Sequence, residues 1–365
     1  MVNNLIYNAF FSLLRSGLWN ISADKEHFPL SNNQWVDIFQ LAKKQTVEAI
    51  IYDGIMTLPV ELFPAKDLIY RWTAAIDAIE RQNRLMQQRI GELMSFFSEN
   101  KLKPCLLKGQ GVACCYNKPD HRVCGDIDLY FSDHKEYKNA NHLIEKKGID
   151  IEKTPGFSTE YVWKGIQVEH HKRFLDVHNP FSMSRLQKLL KNELDNSIKI
   201  EVHGQEVSTP SPLMTNLVVN THILKHSLSF GIGLRQLCDS ARVCHKYNQR
   251  IDGQRIEKLY RDIGMLRWMH ILNQILVDYL GLDPQYLPFE LVRTNNPDWM
   301  LNEILEAGNF GFEDNRFGNT TNLHGERINV AKQLFHRFRL NFRYAPREAI
   351  SFPFVQISSR IANYF

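Results

Sequence analysis

Apolar residues recur along residues 67–100 in steps of four and three: Leu68, Trp72, Ile76, Ile79, Met86, Ile90, Leu93 and Phe97. That spacing places all of them on one face and predicts a single long α-helix. Asn83 falls on the same stripe, and a polar group at a buried position needs a hydrogen-bond partner. Glu80, Arg84 and Arg89 fall off it. Upstream, Leu5, Phe10, Leu13 and Leu14 have helical spacing, and Trp35, Ile38, Phe39 and Leu41–Ala42 give a second amphipathic face. The Asn32–Asn33 pair is expected to cap that second helix. Residues 47–56 offer a third helix, ended near Pro59.

The pattern changes at residue 102. Residues 102–107 and 126–131 read as strands, with a helix over 132–148 between Asp133 at its start and Gly148 at its stop. A strand over 149–153 is expected next. Segments 159–164 and 166–171 then form a hairpin across Lys164–Gly165. A charged helix over 182–196 precedes a second hairpin, 198–202 with 206–209, turning at His203–Gly204. Beyond 211 the chain turns helical, with helices expected over 213–229, 234–247, 251–262, 265–280 and 326–342, and a short one over 359–365. Residues 283–322 read as loop, with a polar run at 313–322. Strand, helix, strand and hairpin together predict a small mixed sheet, α+β in class. The expected segments are an N-terminal helical segment (1–100), a core (101–209) and a C-terminal helical bundle (210–365).

Composition narrows this picture a little. At 365 residues, 44% hydrophobic and 23% charged, the chain is long enough for two or three packed units. A net charge of +4 does not demand a nucleic-acid partner, and there is no basic stripe or helix-hairpin-helix pattern, which argues against a polymerase. No apolar run approaches the ~20 residues that span a bilayer. The apolar N-terminus lacks a basic leader and a cleavage site, so it reads as a packed helix rather than a signal peptide. The six cysteines form no CxxC pair and sit among apolar neighbours, as expected of reduced, buried thiols in a cytoplasmic protein.

The candidate chemistry lies between Cys105 and Phe131. The first strand runs into Lys108, Gly109, Gln110 and Gly111, a glycine turn at a helix start where backbone N–H groups can hold phosphate. The second strand carries Asp126 and Asp128. Alternation points both to one face with Ile127 buried on the other. Two adjacent carboxylates repel unless a cation lies between them, and a hard divalent ion suits the place.

These residues resemble the bacterial "nucleotidyltransferase family protein" group of the DNA-polymerase-beta-like nucleotidyltransferase superfamily. The resemblance rests on Leu106–Leu107, Lys108–Gly109, Tyr116, Arg122 and Asp126-Ile127-Asp128-Leu129, followed by a third carboxylate in the form Glu169-His170-His171. It implies a nucleotidyltransferase core that moves a nucleoside monophosphate from a nucleoside triphosphate to a hydroxyl of an acceptor the sequence does not name. It further implies Mg²⁺, or Mn²⁺, held by Asp126, Asp128 and Glu169, with Glu169 helping to deprotonate the attacking hydroxyl. Lys108, Gly109, Gln110, Arg122, His171, His226 and Arg235 are the residues expected around the nucleotide. Lys108 and Arg122 add charge near the phosphates or pair with an acid of the Asp126, Asp128 and Glu169 triad, and His171 orients Glu169 or contacts phosphate. His170, His171 and His178 are expected around the third carboxylate, and Arg235 is expected to pair with Asp239 one helical turn on. His222 and His226, four apart, have metal-ligand spacing but lack the glutamate of a metalloprotease. The Gly109–Gln110 turn replaces the more usual Gly-Gly or Gly-Ser. It leaves open an alternative, a catalytically silent nucleotide- or partner-binding regulatory module of the same fold.

Overall fold

The computed structural model describes residues 5–364 apart from 132, 155–157, 191–192, 194–195, 312–313 and 318–326. Three helices come first: α1 (Leu5–Trp19), α2 (Asn32–Lys44) and α3 (Glu48–Ile55). Ser31, not the asparagine pair, caps α2. Its hydroxyl accepts from the Gln34 N–H while the Gln34 side chain accepts from the Ser31 N–H, a reciprocal pair that outcompetes a cap one residue later. α1 and α3 cross at backbone contact. A Cβ on Gly17 would lie 1.8 Å from the Ile50 carbonyl oxygen, and one on Gly54 2.1 Å from that of Leu13.

α4 (Lys66–Glu99) is the long helix the apolar stripe predicts, 34 residues without a break. The buried amide of Asn83 is satisfied three times. Its Nδ2 donates to the carbonyls of Asp120 (2.6 Å) and Arg122 (2.9 Å), and its Oδ1 accepts from Gln110 (2.9 Å).

The sheet follows. Its strands are β1 (Cys105–Leu106), β2 (Ile127–Tyr130), β3 (Glu152–Thr154), β4 (Ser158–Trp163) and β5 (Ile166–His171), in the order β1-β2-β5-β4-β3. The β2–β5 pair is parallel and the other pairs are antiparallel, so the sheet is mixed. β1 is shorter than the apolar run suggested, because Pro104 and the turn at Lys108 leave only two residues free to pair. The four-residue helix α5 (Gln110–Ala113) follows the glycine turn, and α6 (His134–Lys146) is capped by the Asp133 carboxylate. The β4–β5 turn is tight, with Lys164 and Gly165 both at positive φ. α7 (Pro180–Leu189) ends earlier than expected. β6 (Ile198–Val202) and β7 (Gln205–Thr209) form the second hairpin.

The helical remainder is α8 (Pro212–Leu228), α9 (Leu234–Tyr247), α10 (Gly253–Asp262), α11 (Leu266–Asp278), α12 (Asp298–Ala307), α13 (Arg327–Phe342) and α14 (Pro346–Tyr364). Two corrections belong here. α12 occupies a stretch expected to be loop, and the terminal helix starts at Pro346 and runs through Pro353 rather than beginning at 359. Of the polar run 313–322, only 314–317 fall within the described residues, as does all but residue 365 of the expected terminal helix.

The apolar interior divides into two cores. One joins α1–α3 and the first half of α4 (Leu68, Trp72, Ile76) to the C-terminal helices, including Leu217, Trp268, Leu272 and Met300. The other packs the second half of α4 (Met86, Ile90, Leu93, Phe97) on the sheet (Leu106, Leu129, Val168) and α6 (Ala140, Ile144). The N-terminal helices therefore pack with the C-terminal bundle rather than forming a segment of their own. Polar ties confirm the docking: Trp19 Nε1 donates to the Leu280 carbonyl (2.6 Å), and Gln45 donates to Ile304 (3.0 Å) and accepts from the Leu234 N–H (2.9 Å). All six cysteines are free thiols, four of them buried. Among the described residues no helix is long and apolar enough to cross a membrane.

Candidate active site

The β2–β5 pairing builds the site. Its register sets Ile127 against Val168 and Asp128 against Glu169. Opposite residues of a parallel pair share a face, so Ile127, Val168 and His170 turn into the core while Asp128, Glu169 and His171 turn out of it together. One donor atom from each of those last three lies within 4.8 Å of the others. His171 Nε2 is 2.7 Å from Asp128 Oδ1 and 3.4 Å from Glu169 Oε2. Burial lowers the proton affinity of His171, but Glu169 and Asp128 outweigh it and raise it overall. His170, by contrast, is a core residue between Tyr161 Oη (2.9 Å) and Asn141 Oδ1 (2.7 Å), and burial pushes it down to about 3.

Asp126 stands one residue before β2 and outside that set of three. The neighbouring charge of Asp128, reinforced by burial, pushes its carboxyl up to about 6. Asp128 itself is only 2% exposed. Burial alone would raise its carboxyl, yet Lys108 and His171 hold it well below the usual range.

Lys108 reaches the acids because of the turn behind it. Gly109 adopts φ 57° and ψ −118°, which only glycine takes without strain, and a Cβ there would come within 3.1 Å of the Asp126 carbonyl oxygen. The turn thus presses the start of α5 against the edge of β2 and delivers Lys108 Nζ to 3.0 Å from Asp128 Oδ1. Burial works against the ammonium, but Asp128, Asp176, Glu169 and Asp126 together raise its pKa, so it is charged.

The set of two carboxylates and an imidazole, with Asp126 crowded alongside, fits a divalent cation such as Mg²⁺ or Mn²⁺. The raised carboxyl of Asp126 is the like-charge strain that such an ion relieves.

Several expected nucleotide contacts lie elsewhere. The Gln110 side chain is buried on the far side of the turn, donating to Asn83 (2.9 Å) and Cys124 Sγ (3.4 Å). Arg122 turns to α9, where Nε and Nη2 donate to the two oxygens of Asp239 at 2.8 and 2.6 Å, and Tyr116 Oη donates to the same carboxylate at 2.7 Å. Asp239 is therefore the partner of Arg122 and Tyr116, not of Arg235. Arg235 instead donates to the Val123 carbonyl (2.6 Å), and its charge helps to lower the Asp126 carboxyl. His226 packs edge-on against His222, ring centroids 4.3 Å apart. His178 is drawn to another acid, its Nδ1 lying 3.4 Å from Glu348 of α14.

Asp176 was not among the residues expected at the site. It lies in a loop, where periodicity carries no signal, yet it acts on Lys108 and binds His222 and Lys225 of α8.

A profile of a family described as "uncharacterised nucleotidyltransferase" matches residues 31–281. Among solved structures, the crystal structure of an antigenic nucleotidyltransferase-like protein from Paracoccidioides brasiliensis aligns over 57% of this chain and 94% of its own. The identity is 13% and the TM-score 0.31, too loose an agreement to carry an argument. No curated protein matches the chain.

Proposed function

The chain belongs to the uncharacterised nucleotidyltransferase family, and from that premise we propose that it transfers a nucleoside monophosphate from a nucleoside triphosphate to a hydroxyl acceptor, in the cytoplasm, with Mg²⁺ or Mn²⁺. The observation that carries this reading is the parallel register that seats Asp128 beside Glu169, with Lys108 delivered to them by the Gly109 turn. Asp128 and Glu169, with Asp126 alongside, would hold the cation, which when bound offsets charge building on the α-phosphate. His171 fixes the Asp128 carboxylate by the 2.7 Å contact. The Lys108 ammonium, beside Asp128, would supply a counter-charge to the phosphates of a bound nucleotide, and the backbone at Gly109 would be able to approach them closely because no side chain intervenes. Arg235, beside Asp126, adds a second cation at the same edge. Arg122 supports the site from behind by bolting the approach to β2 onto α9.

The Gln110 departure does not favour the silent-module alternative. A phosphate contact at this turn would come from backbone N–H groups, and the Gln110 side chain serves the α4 contact instead.

Calorimetric titration with ATP, GTP, CTP and UTP in the presence of Mg²⁺ tests the reading. At least one triphosphate is expected to bind only with the metal, and the Asp126→Asn/Asp128→Asn double variant is expected to lose that binding. A folded chain that binds none of the four would sink the proposal.

A further inference from the structure

The formal charge of the chain is gathered in one stretch. Residues 327–365 hold seven lysines and arginines against one acid, Glu348, a net of +6, whereas residues 1–326 come to −2. Most of that stretch is the helix pair α13 and α14, which pack on each other and on α8. The inward side of α13 carries Gln333, Arg337 and Asn341, all buried, and Asn341 exchanges hydrogen bonds with Ser227 of α8 (3.1 and 3.2 Å). On the opposite side, in steps of four and three, Phe335, Arg339 and Phe342 face water. α14 repeats the arrangement: Glu348, Ala349 and Phe352 are buried, while Arg347, Ile350 and Phe354 are exposed. α7 adds to the same face. The Glu348 carboxylate accepts from the Asn179 N–H (3.0 Å), and Asn179 Nδ2 donates to Ser351 (3.0 Å), which sets Phe181 with Arg347 along one cleft.

Two properties set this face apart from the rest of the surface. Four of the five phenylalanines exposed among the described residues stand on it, with Phe181 and Phe354 at 85% and 70% exposure. Its cations also lack acids. Lys332, Arg339 and Arg343 have no ion pair among the described residues, whereas arginines elsewhere on the surface are neutralised, Arg81 by Asp77, Arg84 by Glu80 and Arg293 by Asp278. Apolar rings held in water are unfavourable, and guanidinium groups beside them attract an anionic partner. We propose that the outer face of α13 and α14, with Phe181, docks the protein on an anionic membrane surface, without crossing it. The phenylalanines and Ile350 enter the boundary between headgroups and acyl chains, and the arginines meet lipid phosphates. Apolar burial and charge attraction together are what hold a peripheral helix at a bilayer. A nucleic-acid strand would also satisfy the arginines, but it takes a groove that tracks its backbone and rings on which successive bases stack. This face looks outward from the bundle and places the aliphatic Ile350 among its rings. The inference does not depend on the nucleotidyl-transfer reading.

The test is flotation of the full chain with lipid vesicles at roughly 0.1 M salt. Phosphatidylcholine vesicles containing about a third phosphatidylglycerol are expected to retain roughly 10-fold more protein than phosphatidylcholine alone, and strong salt is expected to release part of it. Ile350→Ser/Phe354→Ser and Arg339→Gln/Arg343→Gln are each expected to lower retention roughly 10-fold. All four side chains are exposed, so the thermal midpoint should stay at the wild-type value. Arg81→Gln/Arg84→Gln removes the same charge from α4 and is expected to leave retention unchanged. No retention on the anionic vesicles, retention that survives both variants of the face, or an equal fall in the α4 variant overturns the proposal. Binding of single-stranded oligouridylate without binding of vesicles overturns it in favour of nucleic acid. A dimer dissociated by the same substitutions, again without vesicle binding, overturns it in favour of a second copy of the chain.

Discussion

At the scale of single residues, the centre of this protein is a set of buried charges, each with a defined partner. The Arg122–Asp239 pair is the clearest case, because both side chains are almost wholly enclosed and Tyr116 donates into the same carboxylate. Removing one member leaves the other charge buried without compensation. Arg122→Met is expected to cost about 3–5 kcal/mol in denaturant unfolding, and Arg122→Met/Asp239→Leu is expected to recover much of that loss. This pairing also marks how far the sequence could be read. Asp128 and Glu169 were legible because strand alternation fixes which side chains share a face, and the glycine turn was legible because Gly109 follows an apolar strand. Arg122 was misplaced because nothing local distinguishes an arginine that meets phosphate from one that meets a carboxylate 117 residues away. Asp176 went unnoticed for the same reason: its partner His222 is 46 residues distant and its own loop has no period.

At the scale of elements, α4 was legible in full, since nine turns of consistent apolar spacing leave little room for another structure. α12 and α14 were not. A proline inside or next to a segment weakens the helical signal, yet Pro297 precedes the first turn of α12, and α14 continues through Pro353. What α4 holds is the loop before β2. Asn83 binds two of its carbonyls, and His121 in that loop bridges Asp53 of α3 (2.8 Å) and Glu80 of α4 (3.0 Å). Burial tends to lower the proton affinity of His121, but Asp53 and Glu80 outweigh it and raise it. A histidine that binds its proton more tightly folded than unfolded adds stability that is fully present below its unfolded value, about 6.5, and lost as pH rises through its raised folded value. The thermal midpoint of the wild type is therefore expected to exceed that of His121→Gln most at pH 6. The gap should narrow on the way to pH 9, and a pH-independent gap would count against the bridge.

At the scale of the whole molecule, the arrangement is two cores threaded by one rod. α4 lends its first half to the large helical core and its second half to the sheet. At about 1.5 Å per residue its 34 residues span roughly 50 Å, long enough to serve both. The division into an N-terminal segment, a core and a bundle, natural from the order of elements in the sequence, is replaced by this sharing, because side-chain periodicity tells which face is apolar but not which partner covers it. Deleting residues 1–64 is accordingly expected to damage the far end of the chain. The truncated protein should lose a cooperative far-ultraviolet thermal transition for its helices and bind a dye specific for exposed apolar surface. A sharp transition like that of the full chain would show that the bundle closes its core unaided.

The same sharing has a consequence for biosynthesis. Arg15 and the Tyr279 carbonyl it binds are 264 residues apart. At ~5–20 residues per second, a ribosome needs roughly 13–50 s to supply the second after the first. For that interval α1 can pack on α3 but Phe11, whose ring meets Tyr279, is on a nascent chain without that part of its cover. The end of α11, made late, completes the packing of the first helix, so the N-terminal stretch is a natural client for chaperones that shield apolar segments during translation.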